Sequence, residues 1–341
     1  MSDLNVKIYD AISNIKENQW NNVVIQSKLG SFFHRHEWLK AIEDGIGLKA
    51  KHIVVLKNAD PIGIFPNFVV SIKKTPFKRL FSTYPGFGGP IIATQEKEVL
   101  DLMLEHASRI CGGNIVSHYI SALNLAYNRY GDYFDEKGYK LKVGSCRFSV
   151  DLSKGYEEIK SNRTHQRRRE LKKIYKKDVE ILDDPISDKT IKDFYEVYKR
   201  ALQDTGGDVL PFPFFEILQS RMSNRIKIFS AFVEQKHVGR VLCFLDNEQS
   251  SLHGFFSAIE DSNLRYHPWD LLNDYAIKWG IKNNYKKYDM GSSRADFRDG
   301  SYRFKESFGG QVVPTPSWEK VYSKLRWNLF KAGKYLHLKT R

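Results

Sequence analysis

One succession of elements occurs twice along this chain, and it restricts the fold more than any single motif does. In the first half, Ser31-Phe32-Phe33 leads into a helix through Trp38, Leu39 and Ile42, followed by a strand at His52 to Leu56 and a turn at Asn58-Ala59-Asp60. A second strand runs from Ile62 to about Ser71, then come a glycine-rich segment, a helix at Val99 to Ile110 and a strand near Asn114 to Ser121. The second half repeats this with Phe212-Pro213-Phe214-Phe215 before a helix, strands at Ile226 to Val233, Val238 to Leu245 and Leu252 to Ala258, and a closing helix and strand. Alternation such as Ile226, Ile228 and Phe232 predicts strands with one buried face. A pattern of this kind used twice is a duplicated architecture. The expected class is α/β, of the α+β type, with two lobes that are each a mixed sheet flanked by helices. The lobes are expected at residues 1–155 and 156–316. A third piece, 317–341, carries Trp318, Tyr322, Leu325, Leu329, Ala332 and Leu336 at helical spacing among Lys and Arg. It predicts a basic amphipathic helix, of a kind that can lie on an anionic membrane.

Composition narrows the partners. With 341 residues, 41% hydrophobic and 13% aromatic, the chain has ample material for packed cores. Three widely spaced cysteines, Cys111, Cys146 and Cys243, argue for buried thiols in a reducing cytosol rather than a disulfide framework. Met1 to Lys16 does not read as a signal peptide, and no run approaches the roughly 20 apolar residues of a membrane span. The expected location is therefore cytoplasmic, with a membrane-peripheral variant if the tail helix binds lipid. The formal charge of +14 favours a polyanionic partner. Much of it is concentrated in Arg163, Arg167, Arg168, Arg169, Lys172, Lys173, Lys176 and Lys177, with Leu171, Ile174 and Tyr175 as a narrow apolar stripe. Such a basic helix fits either a solvated linker or a contact with phosphate, for which arginine forks are well shaped.

The densest chemistry lies between Pro268 and Gly310. Pro268 suits a first helical turn, and Leu272, Ala276 and Trp279 share a face. Gly280 and Asn283-Asn284 end that helix, and Tyr288-Asp289-Met290 is a brief strand expected to stop at Gly291. An exposed Phe304-Lys305 precedes a double glycine. No Gly-x-Ser-x-Gly elbow or Cys/His pairing is present, so a covalent nucleophile is not expected. His34, His36 and Glu37 lack the spaced partners of a metal site, and none is expected. Asp289, at a strand end, and His253, on a neighbouring strand, are the candidates for a base.

Several segments in order resemble the Fem-type aminoacyl- and peptidyl-transferases: FFHRHEWLKAI, YPGFGGPII, SNRTHQRRRELKKIYKKDVEI, IFSAFVEQKHVGRVLCF, HPWDLLNDYAIKWGI and YDMGSSRADFRDGSYRFKESFGG. The resemblance covers nearly the whole chain, without the long coiled-coil insertion of some members. It implies two tandem GNAT-like acyltransferase lobes, a C-terminal helix at 317–341 that returns to pack on the first lobe, and an enzyme that carries an aminoacyl or acyl group to an amine. The co-substrate would be aminoacyl-tRNA or acyl-CoA, with no permanently bound cofactor. The acceptor would be an amine on an anionic cell-envelope or nucleotide-sugar precursor, and DNA is not expected as a partner. By the same resemblance, Lys305 stands near the reacting carbonyl and Phe304 packs beside it, while backbone N–H groups between Leu252 and Ala258 receive the developing oxyanion. Arg163, Arg167, Trp38, Tyr84, Gly88 and Arg265 fall in motifs assigned to substrate or donor binding.

Two departures from the family pattern bear on the substrates. The lysine and arginine with which wall-precursor-binding members hold phosphate are Ile42 and Leu210 here. The glycine-rich loop that cradles CoA pyrophosphate reads Arg265-Tyr266-His267-Pro268-Trp269-Asp270, which shifts the expectation toward aminoacyl-tRNA. The alternatives are an acetyl-CoA-dependent N-acetyltransferase acting on a small amine or sugar, and a catalytically silent polyanion-binding protein of the same fold.

Overall fold

A computed structural model describes residues 4–72, 75–123 and 125–328. The chain divides into two units, residues 1–143 with 315–341, and residues 144–314.

In the first unit the strands are β1 (Leu4–Tyr9), β2 (Lys49–Ala50), β3 (His52–Lys57), β4 (Asp60–Phe65), β5 (Phe68–Ser71), β6 (Lys78–Phe81), β7 (Ile91–Ile92), β8 (Ile115–Ser121) and β9 (Lys140–Lys142). Its α-helices are α1 (Glu17–Gln26), α2 (His36–Lys40), α3 (Glu96–Ile110) and α4 (Gly131–Glu136). The second unit contains β10 (Ser145–Asp151), β11 (Val179–Asp184), β12 (Ile226–Val233), β13 (Lys236–Asp246), β14 (Ser251–Ala258), β15 (Lys287–Arg294) and β16 (Gln311–Pro314). Its helices are α5 (Gly155–Ser161), α6 (His165–Ile174), α7 (Asp188–Asp204), α8 (Phe212–Met222), α9 (Pro268–Lys282) and α10 (Gly300–Ser307). A last strand, β17 (Ser317–Val321), belongs to the first unit.

The seven-stranded sheet of the second unit runs β11-β12-β13-β14-β15-β10-β16. All its pairings are antiparallel except β14 with β15. In the first unit the sheets run β1-β3-β4-β7 and β2-β5-β6-β8-β17-β9, and here too one pair, β6 with β8, is parallel. The strand beside that parallel pair has the same origin in both units. In the first unit it is β17, between β8 and β9; in the second it is β10, between β15 and β16. Each unit thus takes into its sheet the strand that follows the other unit in sequence.

This exchange accounts for two differences from the sequence reading. The crossings fall at 143/144 and 314/315 rather than near 155 and 316, because β10 looks like the end of the first lobe until its partners are known. The segment beginning at Ser317 opens as a strand, not a helix. Its Trp318 is buried 5.0 Å from Phe134, and its buried Glu319 is bonded by Arg79 and Lys142. Leu329, Ala332 and Leu336 lie outside the described residues.

Local chemistry sets the helix starts of the second unit. Thr164, Ser187 and Asp299 cap α6, α7 and α10 by accepting from the N–H groups of Arg167, Thr190, and Ser301 with Tyr302. Its core gathers Phe148 and Val150 of β10, Phe229 and Ala231 of β12, Val241 and Cys243 of β13, and Leu272, Ala276 and Ile277 of α9. All three cysteines are buried and unbridged. Among the described residues no helix is long and apolar enough to cross a membrane.

Candidate active site

β14 and β15 pair only through Ser251–Lys287, Leu252–Tyr288 and His253–Asp289. Beyond that point they part, while β15 continues against β10 on its other edge, with Arg294 opposite Ser145. On its other side β14 carries a bulge: Leu242 faces Phe256 and Cys243 faces Gly254, leaving Phe255 out of register. The parting opens a cavity of about 440 Å³. One wall is Gly254 to Ser257 with Val241 beside it, and the other is Met290 to Ser292. Helix α9 contributes Trp269 and Asn273; α10 contributes Ser301, Phe304 and Lys305.

The strand expected to stop at Gly291 runs on to Arg294. Gly291 has φ +80°, a conformation open to glycine without strain. Its N–H donates to Asp289 Oδ1 at 2.8 Å, and its carbonyl accepts from Lys305 Nζ at 3.1 Å. Lys305 Nζ also donates to the carbonyl of Ser292 at 2.6 Å and to Ser293 Oγ at 3.1 Å. Lys305 sits on the last turn of α10, whose start Asp299 fixes; like Phe304, it is half-buried rather than exposed as expected. Burial pulls its pKa down to about 8, although Asp289 acts in the opposite direction.

The two candidate bases are brought together, but not into the cavity. Asp289 Oδ2 accepts from Arg147 and lies 3.1 Å from His253 Nδ1, while His253 Nε2 lies 3.5 Å from Asp246 Oδ2. All four groups are buried. Burial alone would lower the His253 pKa, but hydrogen bonding and attraction to the two carboxylates outweigh it and raise it to about 9. Burial works on Asp289 in the raising sense, yet Arg147 and His253 hold it well below the usual carboxylate range. A charged imidazolium and a carboxylate this acidic are poor proton acceptors at neutral pH. The physical reason is the four-membered ion cluster, in which two positive groups neutralise two negative ones.

Arg163 and Arg167 are turned inward. Arg163 is buried with its Nη1 2.6 Å from Asp274, and its guanidinium lies 5.1 Å from the Phe308 ring. Arg167 bonds Asp270 and Ser307 and lies 4.5 Å over the Phe304 ring. Their partners Asp270 and Asp274, with Asn273, form a buried polar face of α9 that helical periodicity in apolar residues cannot reveal. Neither arginine therefore presents a phosphate-binding fork to solvent. Arg168, Arg169, Lys172, Lys173, Lys176 and Lys177 are exposed instead. Glu170, His267 and Asp270 bring ligand atoms within 4.8 Å of one another, but the Arg167 guanidinium already bridges Glu170 and Asp270.

Of the other expected positions, Phe304 lines the cavity. Arg265 is exposed and stacks 5.0 Å from the Tyr266 ring. Trp38, Tyr84 and Gly88 belong to the first unit. There Trp38 is core, packed 5.4 Å from both Phe32 and Phe33. Tyr84 is partly exposed and precedes a cis Pro85. A Cβ at Gly88 would come 2.8 Å from the Ser82 carbonyl oxygen, so that glycine serves close backbone packing.

Ser292, Ser293, Ser301, Trp269, Arg147 and Asp246 were not foreseen as part of this neighbourhood. The run Gly291-Ser292-Ser293 beside the base candidate Asp289 was the only local signal.

Residues 160–306 match the acetyltransferase (GNAT) domain family. No curated protein matches the chain in sequence. Among solved structures, FemX superposes with a TM-score of 0.70 at 12% identity, covering 92% of this chain and 98% of its own. A tandem GNAT protein from the clavulanic acid biosynthesis pathway gives 0.57 at 7% identity, covering 94% and 99%. The C-terminal domain of a putative lysylphosphatidylglycerol synthetase from Agrobacterium fabrum gives 0.59 at 11% identity, covering 93% and 94%. Residues 160–306 of the second unit thus carry the likeness to the GNAT domain family, and the chain as a whole has the fold of the tandem GNAT protein and of FemX.

Proposed function

We propose that the cavity between β14 and β15 is the transfer site of an N-acyltransferase that moves an acyl or aminoacyl group from an activated ester or thioester to an amine. The observation that carries this reading is the parting of the two strands next to a strand bulge, with Lys305 on the cavity wall. The parted stretch of β14 places backbone along a cavity with largely apolar side chains, a setting in which N–H groups become effective toward a developing oxyanion. The Lys305 ammonium, whose protons are engaged by Gly291, Ser292 and Ser293, acts through its positive charge across the wall. Alignment of the two reactants supplies the rest. The acceptor nitrogen forms a bond to the carbonyl carbon, the carbon–oxygen or carbon–sulfur bond breaks, and the amine proton leaves with the departing oxygen or sulfur.

On the donor side, the start of α9 is a poor seat for CoA pyrophosphate. Its first residue, Pro268, has no N–H, and the carboxylate of Asp270 is buried within the first turn. CoA would need another cradle, and the ester of an aminoacyl-tRNA would not need one there. The exposed basic residues of α6 suit tRNA or an anionic acceptor, such as a cell-envelope or nucleotide-sugar precursor. The test offers acyl-CoA and aminoacyl-tRNA donors with a panel of amino-sugar and nucleotide-sugar amines, with products read by mass spectrometry. Transfer by the wild type that falls roughly a hundredfold in Lys305→Met supports the reading. Absence of transfer from every donor refutes it.

A further inference from the structure

Resting on the acyl-transfer reading but departing from its aminoacyl donor, we infer that the group carried in this cavity is a bulky apolar acyl group without an ammonium, not acetyl and not a small aminoacyl group. Val241, Phe255, Phe256, Trp269, Met290 and Phe304 supply most of the side chains in the wall. The aromatic part is rigidly backed: Phe256 packs 4.8 Å from Phe255, 5.3 Å from Phe215 and 5.7 Å from Tyr198, and Phe255 packs 5.0 Å from Phe244. A wall braced in this way keeps its shape when empty, so the cavity is preformed for its occupant.

The polar groups of the lining are largely satisfied within the protein. Asn273 accepts from the Tyr288 hydroxyl at 2.8 Å and donates to the Trp269 carbonyl at 2.6 Å. Lys305 has its three bonds to β15. An occupant rich in donors and acceptors would find few of them free to exchange for its water, whereas an apolar one forfeits no hydrogen bonds on entry.

Charge points the same way. None of the described residues lining the cavity is acidic, and its one cation is Lys305. The α-ammonium of an aminoacyl group would enter without a counter-charge and face a like charge. Size is the third argument. An acetyl group displaces about two waters at roughly 30 Å³ each, a small part of this space.

The test uses acetyl-, butanoyl-, octanoyl- and dodecanoyl-pantetheine, which lack the CoA phosphates, with binding to the full chain followed by calorimetry. Each added methylene buried should tighten binding about threefold to fourfold, from roughly 0.8 kcal/mol per CH₂, until the cavity is filled. Val241→Phe, which adds bulk inside the cavity, should move the tightest-binding member to a shorter chain, with its melting temperature confirming the fold. Affinity independent of chain length, or faster transfer from alanyl-tRNA or acetyl thioester than from octanoyl thioester, overturns the inference while leaving the acyltransferase reading intact. Absence of transfer from all of these donors removes that reading itself.

Discussion

Lys305 and Gly291 are joined by a hydrogen bond of 3.1 Å from Nζ to the backbone carbonyl, and Gly291 holds that carbonyl in place with φ +80°. An alanine there would sit in the left-handed region, and its Cβ would come 3.0 Å from the Gly254 carbonyl oxygen. Gly291→Ala should therefore lower stability by about 1–2 kcal/mol. It should also reduce turnover more than substrate affinity, because it displaces Lys305 without touching most of the cavity. Urea melts and steady-state kinetics check this together; unchanged kcat in a destabilised variant would break the link between Gly291 and Lys305.

The same lysine predicts two pH dependences. Burial brings its pKa to about 8 from the ordinary 10.5, so the ammonium is lost in the folded protein well before it is lost in the unfolded chain. If the charge serves the reaction, kcat/KM falls above about pH 8, and Lys305→Met shows no such limb. For stability the sign is opposite. Below pH 8 both states carry the charge and its burial is fully unfavourable; between 8 and 10.5 only the unfolded state binds the proton, so stability rises with pH. Lys305→Met should melt higher than the wild type at pH 7, with the gap closing toward pH 10.5. Such a trade of stability for a poised group is common at functional sites.

The stretch from Pro268 onward was legible because its signals are local. Pro268 starts α9, Asn283 closes it, and alternation marks β12 and β13. What was not legible depends on partners far away in sequence. Ser145–Asp151 reads as a plausible end to the first unit and becomes a strand of the second only by lying between β15 and β16. Asp289 and His253 each look like candidate bases in isolation. Arg147, which arrives on that exchanged strand, and Asp246 convert them into a buried ion cluster. The basic run has the pattern of a helix, and α6 is one. Its two inward arginines could not be distinguished from the outward ones without the acidic face of α9.

The ion cluster makes its own prediction. His253 titrates near 9 when folded against an ordinary 6.5, so its contribution is complete below 6.5 and lost as pH rises through 9. Asp289 is depressed below 3.8, so its contribution is present above 3.8 and fades as pH falls toward its folded value. The cluster should therefore stabilise the second unit most between about pH 4 and 6.5, by an amount on the order of a few kcal/mol. Urea midpoints between pH 6.5 and 8, below the range in which Lys305 adds its opposite slope, should decline for the wild type and stay flat for His253→Gln. Asp289→Asn, which leaves Arg147 and His253 without their carboxylate, should lose about 3–5 kcal/mol near neutral pH. An activity loss in that variant at full stability would instead return Asp289 to the role of base.

The basic segment separates into two functions that mutation can tell apart. Arg163 is buried against Asp274, which Tyr156, Tyr175 and Lys278 also contact. Removing its charge leaves a buried carboxylate short of its main partner, and Arg163→Met should cost about 3–5 kcal/mol. Arg169, Lys172, Lys173 and Lys176 are exposed, and changing all four to Gln should alter stability by no more than about 0.5 kcal/mol per site. If this face holds tRNA or another polyanion, the quadruple variant loses affinity and shows a shallower dependence of binding on salt, since fewer counterions are released. Filter binding to tRNA between low and physiological salt, alongside thermal melts, reads both effects. An unchanged salt slope would show that the outer face is only solvated charge, and the polyanion would then have to be held elsewhere on this basic chain.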